Sequence, residues 1–175
     1  MPAASDDAYH AAVSGPSVSA VSPSSMNDED RAAFQRLVGE GGQIDPVTFP
    51  RLLANARALA LARVDGVLTG VAALKRPNDA YRTRVFRAAR ATRTAADYPW
   101  ELGWVYVAPA GRSQGLVRLM LEKLLAEREG LPVYATSAVD NDAMHRSLKR
   151  FGFEPHGEAY PPSQNTQPIQ LFVSG

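Results

Sequence analysis

Six consecutive residues, Arg112-Ser-Gln-Gly-Leu-Val117, carry the densest chemistry in the chain. Before them Glu101–Val107 reads as a strand, followed by Ala108-Pro-Ala-Gly111. After them apolar residues recur at 116, 117, 120, 121, 124 and 125, one stripe of a helix. The N–H groups of a first helical turn have no intrahelical acceptor, and the helix dipole adds partial positive charge there. A glycine-bearing loop entering such a turn is a phosphate site, and Gly115 removes the side chain that would keep a ligand from the backbone. Two common phosphate loops do not fit. The dinucleotide fingerprint needs three glycines where Gly111 and Gly115 stand, and the nucleotide P-loop ends in Gly-Lys-Ser/Thr, whereas this loop has no lysine. One carboxylate, Glu101, lies on the preceding strand eleven residues before Arg112.

These residues need a scaffold, and the rest of the sequence outlines one. Ser17–Ser22 alternates weakly and reads as a first strand. Asn27 caps a helix whose first turn holds Asp28, Glu29 and Asp30, whose apolar face is Phe34, Leu37 and Val38, and which Gly41-Gly42 stops. Thr48 is expected to cap a second helix carrying Leu52, Leu53 and Ala56. Leu59–Arg63 and Val67–Leu74 flank Asp65-Gly66, a hairpin signal. Gly130 and Pro132 end the helix after the loop, Val133–Ala138 reads as the next strand and Ile169–Val173 as the last. A hairpin first, then strands alternating with helices, predicts a mixed sheet with helices on both faces. Residues 1–16, rich in Ala, Ser, Gly and Pro, read as a flexible tail, and 17–175 as a single domain.

Composition narrows the chemistry. The chain has 175 residues, 45% of them apolar, enough for one substantial core. A net charge of +1 gives no global steering towards nucleic acid or membrane. With no cysteine there is no disulfide, thiolate nucleophile or thiolate metal site, which fits a reducing, cytoplasmic compartment. His10, His145 and His156 have no metal-ligand spacing, so no metal is expected. The first residues lack the pattern of a signal peptide, and no apolar run approaches a membrane span.

The Arg-x-x-Gly-x-(Gly/Ala) pattern between strand and helix resembles the pyrophosphate loop of the GNAT superfamily of acyl-CoA-dependent N-acetyltransferases. Arg112 and Gly115 match it, and Val117 departs from the usual small residue. A second segment follows in the right order: Gly152-Phe153 lies about eleven residues after Asn141, as in the family. The resemblance spans roughly residues 17 to 174 and is strongest from Glu101 to Phe153. It implies an α/β fold with a mixed, mostly antiparallel sheet, helices on both faces, and splayed central strands that bind CoA. It implies acetyl-CoA as cosubstrate, held by Arg112, Ser113, Gln114, Gly115, Leu116 and Val117 at the pyrophosphate and by the backbone of Val105, Tyr106 and Val107 along the pantetheine arm. Asn141 would contact that arm, cap a helix, or do both.

Acetyl transfer to an amine must overcome an ammonium pKa of about 10.4, so a base is needed at neutral pH. Glu101 resembles in position the catalytic glutamate of the GNAT members that use one; its plain alternative is an exposed strand-end carboxylate. The tyrosine that serves many members as general acid stands seven positions after the Asn, and that position here is Leu148. Ser147 points about 100° away around the helix. Tyr134 and Tyr160 could approach from neighbouring strands. A CoA-like thiol, with a pKa of about 8.5, leaves with little help.

Between the third and fourth strands, Lys75, Arg76, Arg82, Arg84, Arg87 and Arg90 stand against Asp79 alone, with Arg93 following. With Tyr81 and Phe86 these could grip an acidic small molecule, phosphate or RNA. The favoured alternative is a solvated amphipathic helix that packs Val85 and Phe86. The leading expectation is a cytoplasmic N-acetyltransferase moving an acetyl group directly to a primary amine of a small molecule. Nucleic acid is the less favoured partner, no membrane is involved, and a homodimer is one admissible assembly. The competing readings are acylation of a nucleic-acid-linked or protein amine, and a GNAT-fold module that binds acyl-CoA without chemistry. Val117 and Leu148 favour the last of these, and Glu101 argues against it.

Overall fold

The computed structural model describes residues 15–42, 45–162 and 167–175. The tail expected over residues 1–16 therefore lies outside the described residues apart from its last two. Seven strands form one sheet in the order β1-β2-β3-β4-β5-β7-β6. They are β1 (Ser17–Val21), β2 (Ala58–Val64), β3 (Val67–Lys75), β4 (Trp100–Val107), β5 (Val133–Ala138), β6 (Glu154–Pro155) and β7 (Ile169–Ser174). Every pairing is antiparallel except that of β4 with β5. Five helices join them: α1 (Asp28–Glu40), α2 (Phe49–Ala54), α3 (Asp79–Ala88), α4 (Leu116–Ala126) and α5 (Asp142–Arg150). No described helix is long and apolar enough to cross a membrane.

Local chemistry explains most of these boundaries. The Asn27 side chain accepts from the Asp30 N–H at 2.8 Å, and three acids occupy the first turn of α1. Asp65 and Gly66 both have positive φ, 51° and 80°, which matches their turn to the right-handed twist of β2 and β3. Thr48 sits at the N-cap of α2 but makes no capping bond. Its hydroxyl instead donates to Asp45 Oδ2 at 3.0 Å, and Asp45 Oδ1 accepts from the Val47 N–H, so Asp45 organises the entry to α2. Leu52, expected on the packed face of α2, is exposed, whereas Leu53 and Ala56 are buried. The helix after the loop ends at Ala126, before Gly130; Glu129 and Gly130 then turn the chain with φ of 57° and 74°.

Strand alternation sends neighbours to opposite faces. On one face Ala60, Ala72 and Leu74 lie with Trp100 and Leu102 against Leu116, Met120 and Leu121 of α4 and Leu148 of α5. On the other, Leu59, Leu61 and Val71 meet Phe34 and Leu37 of α1 and Leu53 of α2. Val85 and Phe86 of α3 cover Tyr98, Tyr134 and Leu171 in a third cluster. Fully burying one such side chain is worth about 1.5–3 kcal/mol.

Two irregularities of β4 set up the site. Ala73 pairs with Gly103 and Val71 with Tyr106, so three steps on β4 oppose two on β3. This bulge carries Trp104 into positive φ, 51°. By simple alternation Trp104 would share a face with Trp100 and Leu102; the extra residue turns it, and Tyr106 after it, to the α1–α2 side. The second irregularity is a parting of strands. β4 pairs with β5 only through Trp100, Glu101 and Leu102. Beyond Leu102, β4 stays with β3 and β5 continues to Ala138 beside β7, so the sheet opens between them.

Candidate active site

The loop after β4 is built to present backbone donors. A short 3-10 turn, Pro109–Gly111, leads into it, and a Cβ on Gly111 would come within 2.9 Å of Thr69 Oγ1, so this glycine lets the turn close on β3. Ser113 and Gly115 have φ of 63° and 71°, and Gly115 is the N-cap of α4. Two side chains brace the turn from outside: Arg112 Nε donates to the Val107 carbonyl at 3.3 Å, and Gln114 Nε2 to that of Ala110 at 3.1 Å. Among the described residues, the N–H groups of Ser113 through Arg118 have no acceptor. Open space surrounds the position where Gly115 would carry a Cβ. Exposed, unsatisfied N–H groups at a helix start fit a diphosphate.

The remaining residues expected to hold CoA are placed as follows. Leu116 is buried, so it can offer a ligand its backbone alone. Val117 packs half-buried against the core beneath α4. Val105, Tyr106 and Val107 lie on the stretch of β4 that has no partner on the β5 side. Val105 and Val107 pack towards α4, and Tyr106 towards α1, where its hydroxyl donates to Glu40 Oε2 at 3.3 Å. Asn141 caps α5, its Oδ1 accepting from the Met144 N–H at 3.1 Å.

Glu101 is 3% exposed, not the solvated strand-end group that a reading by position alone allows. It forms part of the lining of a cleft of about 690 Å³ between the start of α2, the first turn of α3 and β4. Thr48, Lys75, Tyr81, Arg84 and Trp104 are among its other walls. Lys75 and Glu101 are cross-strand partners, and Lys75 Nζ lies 3.0 Å from Glu101 Oε1. The same oxygen accepts from the Tyr81 hydroxyl at 3.3 Å. Glu101 Oε2 receives no hydrogen bond among the described residues. A Cβ on Gly103 would come within 2.8 Å of Lys75 Nζ, so this glycine makes the channel through which the lysine reaches the carboxylate. Lys75 also lies over the Trp104 ring, 5.3 Å from its centroid.

Three phenols surround this carboxylate. The charge of Glu101, then burial, pushes the Tyr81 hydroxyl far above its ordinary pKa. Burial first and Glu101 second do the same to Tyr134, whose enclosed hydroxyl approaches the carboxylate without reaching hydrogen-bond geometry to any group. Tyr160 is pushed up to about 12 by burial and the Glu101 charge. All three are neutral at physiological pH. Leu148 is fully buried in the core, and the Ser147 hydroxyl donates to the Ala143 carbonyl at 2.9 Å within its own helix. Neither supplies the missing acid.

The basic segment is α3, and it divides. Val85 and Phe86 are buried as expected. Arg82 is not a surface cation: its side chain is 12% exposed, paired with Asp79 at 2.6 Å and donating to the Tyr98 carbonyl. Arg90 pairs with Glu158. Lys75, Tyr81 and Arg84 were marked by sequence only as parts of the basic segment, not as neighbours of Glu101, and Trp104 was not marked at all. The Lys75–Glu101 pairing depends on the register of two strands and Trp104 on the bulge, neither of which has a signature at those positions.

A family model described as the acetyltransferase (GNAT) family matches residues 24–153. No curated protein matches the sequence significantly. Solved structures do. An acyl-CoA N-acyltransferase from Pseudomonas aeruginosa superposes with a TM-score of 0.65 at 19% identity, over 92% of this chain and 100% of that one. YncA of Salmonella typhimurium, solved with its cofactor acetyl-CoA, gives 0.63 at 18% identity over 91% and 93%. Naa50 of Arabidopsis thaliana, in complex with a CoA-peptide bisubstrate analogue, gives 0.62 at 13% identity over 90% and 98%. At these identities the superpositions speak for the fold. With the family match covering more than half of the sequence, the chain belongs to the GNAT family of acetyltransferases.

Proposed function

We propose that the protein transfers an acetyl group from acetyl-CoA directly to a primary amine of a small molecule, with Glu101 as general base. One observation carries this reading: the cleft reaches β4 at Glu101, at the point where β5 departs. An acceptor in the cleft and an acyl donor along the open edge of β4 would meet there.

Acetyl-CoA supplies the thioester; the chain supplies position and a proton acceptor. The free N–H groups of Ser113–Arg118 take the diphosphate, and the backbone of Val105, Tyr106 and Val107 takes the arm in the manner of an added strand. Backbone N–H groups on the same edge polarise the carbonyl. Lys75 and Tyr81 fix Glu101 Oε1, which leaves Oε2 to receive the proton of the ammonium, directly or through water. As the amine attacks, the thiolate leaves and takes up a proton; with a pKa of about 8.5 it needs no dedicated acid, which accommodates Leu148.

Glu101→Gln keeps the shape and removes the base. Turnover is expected to fall about 10²–10⁴-fold with acetyl-CoA affinity unchanged. An unchanged rate at neutral pH would assign the proton to another group.

A further inference from the structure

The cleft that reaches Glu101 has a charge pattern that proton transfer does not use. Arg51, Lys75, Arg76 and Arg84 line it, against Asp45 and Glu101 as acids. Both acids are engaged. Asp45 receives the Val47 N–H and the Thr48 hydroxyl, each at 3.0 Å, and Glu101 holds Lys75. Arg51, Arg76 and Arg84 pair with no carboxylate among the described residues.

Two of these arginines stack on rings instead. The Arg76 guanidinium lies 5.1 Å from the centroid of Trp100, a ring on the α4 side of the sheet, and that of Arg84 lies 5.4 Å from Tyr81, the residue that donates to Glu101 within the cleft. Stacking orients a guanidinium while leaving its N–H edge free for a bidentate oxyanion. The first turn of α3 contributes Asn78, Ala80 and Tyr81 to the same wall, so the positive end of its dipole adds to the field. A plain alkyl ammonium would meet unpaired cations on its way to Glu101 and be disfavoured. An amine that carries its own anion would not.

We propose that the acceptor is a small primary amine bearing an oxyanion, either a carboxylate or a phosphonate-type group, with the amine at Glu101 and the oxyanion held by Arg84. The proposal rests on the acetyltransferase reading of this cleft and narrows its substrate. It differs from the solvated-face reading of α3, since Arg84 here faces a ligand rather than bulk water alone.

The test uses matched probes on the full chain: γ-aminobutyrate against n-butylamine, β-alanine against n-propylamine, and aminoethylphosphonate against ethylamine. Two readouts run in parallel, CoA release from acetyl-CoA and the thermal shift that each probe adds in the presence of CoA. The anionic member of at least one pair is expected to be preferred by about tenfold or more in kcat/KM, and to give the larger shift, as hydrogen bonds between charged groups would provide. Arg84→Gln should collapse that ratio, chiefly through KM, and Arg150→Gln on the opposite face should not. The pair that responds separates a carboxylate from a phosphonate acceptor. If anionic probes shift the melting point but none is acetylated, the reaction assignment fails and the anion site stands. If neutral partners bind or react as well as the anionic ones, if no anionic probe binds, or if Arg84→Gln keeps the wild-type ratio, the proposal is wrong.

Discussion

The two oxygens of the Glu101 carboxylate differ: Oε1 is anchored by Lys75 and Tyr81, and Oε2, the proposed proton acceptor, receives no hydrogen bond among the described residues. Lys75→Met should therefore leave a nearly buried charge uncompensated and lower stability by about 1–3 kcal/mol in urea unfolding. Tyr134 offers a contrasting test. Its hydroxyl is enclosed and unpartnered, so Tyr134→Phe should be neutral or stabilising and should leave turnover intact. A large fall in kcat would instead make it the missing acid. The phenols around Glu101 also set a pH limit. Raised folded-state pKa values mean that the native state holds these protons more tightly than the unfolded chain does. The associated stability is fully present below the ordinary phenol pKa of about 10 and is lost as pH rises through the folded values, about 12 for Tyr160. Denaturant midpoints should fall steeply on going from about pH 9 to about pH 11, with tyrosinate absorbance appearing as the protein unfolds. A midpoint that stays level over that range would show these phenols ionising freely.

At the scale of elements, the proposal puts the acyl donor at the start of α4 and along the open edge of β4, and the acceptor in the cleft beside α2 and α3. Gly115→Glu should abolish the acetyl-CoA thermal shift, because it forces a side chain into positive φ and sets a negative charge at the free N–H groups. The start of α4 was legible in the sequence because glycine spacing and an apolar stripe coincide there. The hairpin at Asp65-Gly66, the Asn27 and Asn141 caps and the apolar face of α3 were legible for similar local reasons. The walls of the cleft were not. Lys75 reaches Glu101 through strand register and the gap left by Gly103, and Trp104 changes face through a bulge, both of them long-range consequences of pairing. Arg82, one of an undifferentiated row of cations in the sequence, turns inward to Asp79 and Tyr98, and no pattern along α3 separates it from Arg84.

At the scale of the whole molecule, the proposal has two ligands approaching one sheet from different parts. Acetyl-CoA at 100 times its dissociation constant should stabilise the fold by about 2.7 kcal/mol, and ATP, which lacks the pantetheine arm, should stabilise it less. RNA is expected to show no salt-dependent binding above background, since Lys75, Arg82 and Arg90 are already paired and the net charge is +1. The measurement that bears most directly on the account is release of free CoA thiol from acetyl-CoA by the intact chain, with and without each member of a panel of small primary amines. The account predicts release that depends on the amine and is matched one for one by acetylated product. A chain that acetyl-CoA stabilises but that releases no amine-dependent thiol would contradict it, leaving a module that binds acyl-CoA without transferring the acyl group.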